Sequence, residues 1–269
     1  MQIRTGYEIA YECPQATPMI LMLTVHPSRQ HDLATPHRIT LDPPVAAHDY
    51  SDIFGNVCTR IVAPPGRITI SADFIVNDHG TADQVVPSAD QVPVQDLPGE
   101  TLTYLLGSRY CDTDHLSNTA WSLFGHGPAG WARVQAICDY VHDRLTFGYQ
   151  HASVTRTAWD GFNEQRGVCR DFAHLAITLC RCMNIPARYC TGYLGDIGVP
   201  VMPEPMDFSA WFEVYLDGGW YTFDARHNKP RIGRILVARG RDATDVALST
   251  AFGTARLAQF KVVTDEIAV

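Results

Sequence analysis

Cys169 is the residue best placed for chemistry. It follows Gly167 and opens a segment running to about Met183. The apolar residues of that segment, Phe172, Leu175, Ala176, Leu179, Cys180 and Met183, recur at helical spacing. Cys169 sits three positions before Phe172 and shares that buried stripe. A cysteine on the first turn of a helix has unpaired backbone N–H groups and the positive end of the dipole beside it, and both favour the thiolate. The same N–H groups would favour an oxyanion if the thiolate attacked a carbonyl. The competing state for any helix cysteine is a buried, inert thiol.

A thiol acting on a carbonyl needs a proton acceptor, and a carboxylate that orients it. His174 lies five residues after Cys169, about 140° round the helix. It therefore faces away from the thiol and is expected at the surface or in a hydrogen bond. His227, further along the chain, is a second candidate. If Leu216 pairs with Trp220 across a three-residue turn at Asp217-Gly218-Gly219, Ser209 falls opposite His227. Asp224 and His227 are three apart, so a regular strand would point them to opposite faces. A bulge or the end of the strand would have to intervene. Otherwise His227 is a loop residue meeting backbone or solvent.

The elements that must position these groups change character along the chain. The first hundred residues read as all-β, with runs at Met19 to Val25, Arg38 to Leu41, Val57 to Ala63 and Arg67 to Asn77. They suggest a small sandwich-like module over 1–98. Its histidines, His26, His31, His37 and His48, are expected as solvated loop residues. The proline-rich stretch Val85 to Glu100 reads as a linker into a core at 99–269. Thr101 to Ser108 and Trp131 to Phe147 read as helical. After Pro186, Ala187 to Leu194, Phe208 to Leu216 and Trp220 to Asp224 read as strands, followed by an Arg-rich loop from Arg226 to Arg241 and a last strand at Leu257 to Thr264. In the second of these strands Phe208, Ala210, Phe212, Val214 and Leu216 share one face, and Ser209, Trp211, Glu213 and Tyr215 the other. The fold class expected is α+β.

Four ordered segments then resemble one family. Arg166-Gly167-Val168-Cys169-Arg170-Asp171-Phe172-Ala173-His174-Leu175 is similar to the nucleophile motif of bacterial transglutaminase-like proteins. Ile185 to Tyr189 with Thr191 to Leu194, then Asp207 to Leu216, then Trp220 to Asp224, look like the three strands that follow it there. The resemblance covers roughly residues 100 to 265. It implies a papain-related core, a Cys-bearing helix packed on an antiparallel sheet, behind an N-terminal β module. It also implies a thiol enzyme acting on amide bonds of peptides or proteins through an acyl-thioester, with hydrolysis favoured over cross-linking. By motif position Cys169 is the nucleophile and Asp224 the orienting carboxylate. The family's histidine position is occupied by Ser209, which cannot serve as a general base near neutral pH. His227 is the candidate substitute. The alternative is a catalytically impaired or inactive relative that uses its cleft for binding.

Bulk properties narrow the remaining classes. The chain has 269 residues, 46% of them hydrophobic, and a formal net charge of -8. That acidic balance argues against nucleic-acid binding. No apolar run is long enough to span a bilayer and the N-terminus lacks signal-peptide character, so a cytoplasmic location is expected. Eight scattered cysteines do not read as a disulfide framework, and Cys180, Cys182 and Cys190 are expected to pack the core. No cofactor motif or zinc spacing occurs, so neither a cofactor nor a metal is expected. Arg226, Arg231, Arg234, Arg239 and Arg241 form a local cationic run. It would either receive a carboxylate-bearing substrate or pair with the chain's own acids.

Overall fold

The chain starts with a long strand, β1 (Gln2–Cys13), followed by β2 (Thr17–Leu21), β3 (Thr40–Asp42), β4 (Ala47–Ser51), β5 (Val57–Ala63) and β6 (Gly66–Asn77). This computed structural model describes residues 1–201 and 206–267. Two short 3-10 turns, Val94–Asp96 and Gly99–Leu105, lie in the proline-rich stretch and just after it. The helical part follows with α1 (Thr113–Phe124), α2 (Gly130–Arg144), β7 (Thr146–Phe147), α3 (Ala158–Glu164), β8 (Arg166–Gly167) and α4 (Cys169–Cys182). The chain closes with β9 (Ala187–Tyr193), β10 (Ser209–Leu216), β11 (Gly219–Phe223), β12 (Ile235–Gly240), β13 (Ser249–Ala251) and β14 (Arg256–Ile267).

Three four-stranded antiparallel sheets result, with orders β14-β1-β6-β3, β13-β2-β5-β4 and β11-β10-β9-β12. The last strands of the chain thus complete both sheets begun by its first residues. Register over the long β1–β6 pair is continuous from Gln2 opposite Asn77 to Cys13 opposite Gly66. Gly6 is needed there, because a Cβ would come 2.3 Å from the Ala72 carbonyl oxygen.

Helix α4 is the central element of the other half. Every residue from Asp171 to Cys182 is buried, as befits a helix covered on all sides. It packs on α1, α2 and α3 and against β9 and β10. Its buried Arg181 and Thr178 are satisfied by backbone carbonyls. The Arg181 guanidinium donates to the carbonyls of Ala187, Leu106 and Arg241. Thr178 donates to the His174 carbonyl at 2.7 Å. Cys180, Cys182 and Cys190 are all buried.

The alternation in β10 separates two cores. Phe208, Ala210, Phe212, Val214 and Leu216 join the main apolar cluster, whereas Trp211 meets Cys190 and Leu236 on the other side. Within this sheet Gly192 admits the backbone of the neighbouring strand β12: a Cβ would lie 2.1 Å from the Ile235 carbonyl oxygen. A register shift between Leu236 and Ala238 occurs in the same pairing.

Three sequence expectations are corrected. The Arg226 to Arg241 stretch is not all loop, since Ile235–Gly240 forms β12 beside β9. The apolar run Ile235 to Ala238 carried that signal, flanked by arginines. The turn after β10 has two residues, Asp217 and Gly218, both left-handed at φ 45° and 81°. Leu216 therefore pairs with Gly219, not Trp220. Finally, His26 and His37 are not solvated. His26 is 3% exposed and its Nδ1 accepts from the Ser28 backbone N–H. The His37 ring stands edge-on to Phe74 at 4.6 Å. Burial lowers both imidazoles to about 4.

Candidate active site

The thiol-bearing turn is tied down before it is exposed. The Asp171 carboxylate, third residue of α4, accepts from the Val168 backbone N–H at 2.8 Å and meets Arg156 at 3.3 Å. Arg156 in turn binds Glu164 at the end of α3. Cys169 itself keeps partial exposure and opens onto a cavity of roughly 720 Å³. One side of the cavity is core: Cys169, Arg170, Tyr189, Thr191, Asp207, Phe208 and Ala210. The other side comes from the β module and from its C-terminal strands, including Ile9, Tyr11, Ser249, Leu257 and Phe260.

Enclosure of the sulfur dominates its electrostatics. Burial pushes the Cys169 thiol up to about 11; the Arg226 charge and the Ala210 backbone N–H pull it back, and Asp207 and Asp224 oppose them. The carboxyl of Asp207, on the same cavity wall, is also raised by burial, against the Phe208 N–H and Arg226.

Asp224 follows the end of β11 and is 6% exposed. Its Oδ1 accepts from the backbone N–H groups of Arg226 and His227, each at 3.0 Å. Its Oδ2 accepts from His227 Nδ1 at 2.8 Å and from Arg234 Nη2 at 3.0 Å. The strand stops at Phe223 and residues 225–227 turn. That turn lets a carboxylate and an imidazole three apart meet. An Nδ1–H donated to Asp224 leaves Nε2 with its lone pair.

The one-residue change of register alters what lies across from Ser209. Counting on from Phe212 opposite Phe223, the residue that would face Ser209 is Arg226, not His227. Ser209 is buried, and its carbonyl accepts from Thr191 Oγ1 at 3.1 Å. Among the described residues no histidine lines the Cys169 cavity.

His174 is fully buried and hydrogen-bonded rather than at the surface. Its Nε2 accepts from the Ala243 N–H at 3.1 Å, and its ring stacks on Tyr110 at 5.1 Å. Burial lowers it to about 3, so it stays neutral. Trp159 stacks on Phe162.

The arginine run is mostly spent internally. Arg231 meets Asp196, Arg234 meets Asp83 and Asp224, and Arg241 meets Asp245. Arg226 lies over the Phe147 ring at 3.8 Å. The cations that do line the cavity are Arg109 and Arg170. Arg170 adjoins the thiol in sequence, but nothing in the sequence places Arg109 beside it.

A Cytophaga hutchinsonii structure described as a proposed cysteine protease superposes with a TM-score of 0.86 at 30% identity, covering 100% of this chain and 91% of the other. The family model for the transglutaminase-like superfamily matches residues 120–225. The chain belongs to the transglutaminase-like superfamily. An uncharacterised Mycobacterium leprae protein is 26% identical over 255 residues, covering 90% of this chain and 88% of that one. A Mycobacterium tuberculosis relative is 28% identical over 235 residues, covering 78% and 73%.

The α+β class and the transglutaminase-like core behind a β-rich N-terminal region are therefore those expected. No helix among the described residues is long and apolar enough to cross a membrane.

This transglutaminase-like core also encloses thiols away from the cavity. Burial raises Cys111 to about 11 and Cys182 to about 12, and lifts Cys138, Cys180 and Cys190 as well. Such a group holds its proton in the folded state after the unfolded chain, near 8.5, has lost it. Its contribution is whole below about pH 8.5 and disappears as pH rises towards the folded value. Each thiol then costs about 1 kcal/mol per pH unit. Urea unfolding at pH 8 and at pH 10 should show a loss of several kcal/mol. An unchanged midpoint would mean the thiols ionise freely in the native state.

Proposed function

We propose that this transglutaminase-like protein is a thiol enzyme that cleaves amide bonds of peptides or proteins through an acyl-thioester, with water as the usual acceptor. In this reading Cys169 Sγ attacks the carbonyl, and its proton passes to Nε2 of His227. The imidazolium formed is stabilised by Asp224 and later protonates the leaving amine. Water then attacks the thioester and releases the acid and the free thiol. The N–H groups at the start of α4 and the Ala210 N–H are the donors available for the oxyanion.

The observation that carries this reading is the 2.8 Å contact between Asp224 and His227 Nδ1, in the turn that follows β11. An ionised carboxylate beside Nδ1 favours the tautomer with a free Nε2 that a general base requires, and by the resemblance Ser209 stands where the family has its histidine. Because the thiol is held high, proton transfer would accompany attack instead of preceding it. The eight cysteines are all free, which fits a reducing, cytoplasmic setting.

A second reading, a binding protein that keeps the fold, is favoured by that same high thiol pKa and by a cavity with no imidazole on its wall. Intact-mass detection of an acyl adduct on Cys169 with p-nitrophenyl acetate separates the two. The enzyme reading expects an adduct that water or added methylamine discharges, formed about 10²-fold more slowly in His227→Ala. Equal rates in His227→Ala would remove His227 from the mechanism. Complete failure to acylate would leave the binding reading.

A further inference from the structure

The cavity beside Cys169 contains an arrangement that the thiol chemistry does not use. Three charged residues line it: Arg109, Arg170 and Asp207. The Arg109 guanidinium lies 5.2 Å from the centroid of the Tyr110 ring and that of Arg170 lies 5.1 Å from it. Two cations thus lean on one ring in a protein whose formal net charge is -8.

The ring is a fixed support. Its hydroxyl donates to the Val154 carbonyl at 2.7 Å, its backbone N–H donates to Asp242 Oδ2 at 2.8 Å, and His174 stacks on it. Among the described residues Arg109 has no carboxylate within 4.0 Å, and the ion-pair contact of Arg170 is to Asp171 at 3.8 Å. Arg170 also donates to the Ser153 carbonyl, yet its buried Nε–H finds no partner. An unmatched buried donor is costly, and a ligand oxygen would relieve it. Asp207 opposes an anion here, but burial favours its neutral form.

Beside these cations the rim is apolar and open. Val154, Leu257 and Phe260 are 79%, 49% and 40% exposed. A free carboxylate next to an apolar side chain matches this pairing of surfaces.

We propose that Arg109 and Arg170, supported by Tyr110, form an anion subsite that selects substrates carrying a carboxylate close to the carbonyl attacked by Cys169. The subsite rests on the reading of Cys169 as the reacting thiol. A carboxylate of this kind is either a peptide C-terminus or the side chain of an acidic residue.

Alkylation tests the subsite without requiring turnover. Iodoacetate and iodoacetamide present the same reacting carbon, one with a carboxylate and one with an amide. The ratio of their rates at Cys169, relative to the ratio for N-acetylcysteine, reads anion selection. It should be raised in the native protein, fall about fivefold in Arg109→Ala, return in part in Arg109→Lys, and collapse in 0.5 M salt. A ratio equal to that of N-acetylcysteine, or unchanged by Arg109→Ala and salt, would overturn the proposal.

If neither reagent labels the thiol, the reactivity reading fails separately. Binding of N-acetyl-leucine and N-acetyl-leucinamide to the Cys169→Ser protein, followed by NMR, then decides: preference for the acid supports the subsite and equal binding refutes it. Comparing N-acetyl-leucine with N-acetyl-glutamate α-amide in the same titration distinguishes a terminal from a side-chain carboxylate.

Discussion

Asp224→Ala is expected to cost about 3–5 kcal/mol of folding stability, the range for breaking one side of a buried ion pair. Four donors converge on this carboxylate: two backbone N–H groups, His227 Nδ1 and Arg234 Nη2. Alanine leaves the Arg234 guanidinium buried, with only Asp83 in contact at 2.9 Å. It also frees the turn that holds His227. Burial alone would raise the Asp224 carboxyl. The Arg234 charge and the hydrogen bond and charge of His227 outweigh it and hold the group well below the ordinary carboxylate range. A depressed carboxylate stabilises the fold above its unfolded value, near 3.9, and loses that contribution as pH falls further. The wild type should therefore lose stability below about pH 4 more steeply than the alanine variant. Guanidinium unfolding at pH 7 and pH 3.5 measures both effects. A difference under about 1 kcal/mol at pH 7 would mean that water replaces the carboxylate without penalty.

Cys169→Ser should abolish covalent acylation and lower any amide hydrolysis by at least about 10³-fold, as expected when a member of a concerted catalytic unit is removed. The substitution changes one atom on a part-exposed residue at the start of α4, so the unfolding midpoint should stay close to that of the wild type. Intact-mass analysis together with peptide-amide turnover supplies the readout. Turnover that survives in the serine protein would place the chemistry elsewhere, and the cavity would then be a binding cleft for another nucleophile. The contrast between the two substitutions is informative in itself. Asp224 is expected to matter to both stability and reaction, whereas Cys169 is expected to matter to reaction alone.

The local features of the site could be read from residue order. The stripe from Phe172 to Met183 makes a helix, and Gly167-Val168 before it puts Cys169 on its first turn. The alternation from Phe208 to Leu216 makes a strand with two unlike faces, as the separation of Phe212 from Trp211 shows. These follow from periodicity, which depends on neighbours three, four or two residues away. The narrow ridge of α1, Leu116, Ala120 and Phe124, gave too little contrast to be read the same way.

What tertiary structure decided is everything that depends on pairing between distant residues. A left-handed Asp217-Gly218 pair closes the hairpin in two residues, and that single step moves the count opposite Ser209 from His227 to Arg226, beyond the last paired residues, Phe212 and Phe223. The arginines of 226–241 are a cationic run in the chain but mostly partners of Asp83, Asp196, Asp224 and Asp245 in the fold. Strands β13 and β14 cross back to β2 and β1 and supply a wall of the Cys169 cavity. Arg109, far from Cys169 in sequence, lines that cavity beside Tyr110, which is held by Asp242 and His174. Side-chain periodicity states which face is buried; it does not state which distant surface covers that face, and the chemistry of this cleft is set by the surface that does.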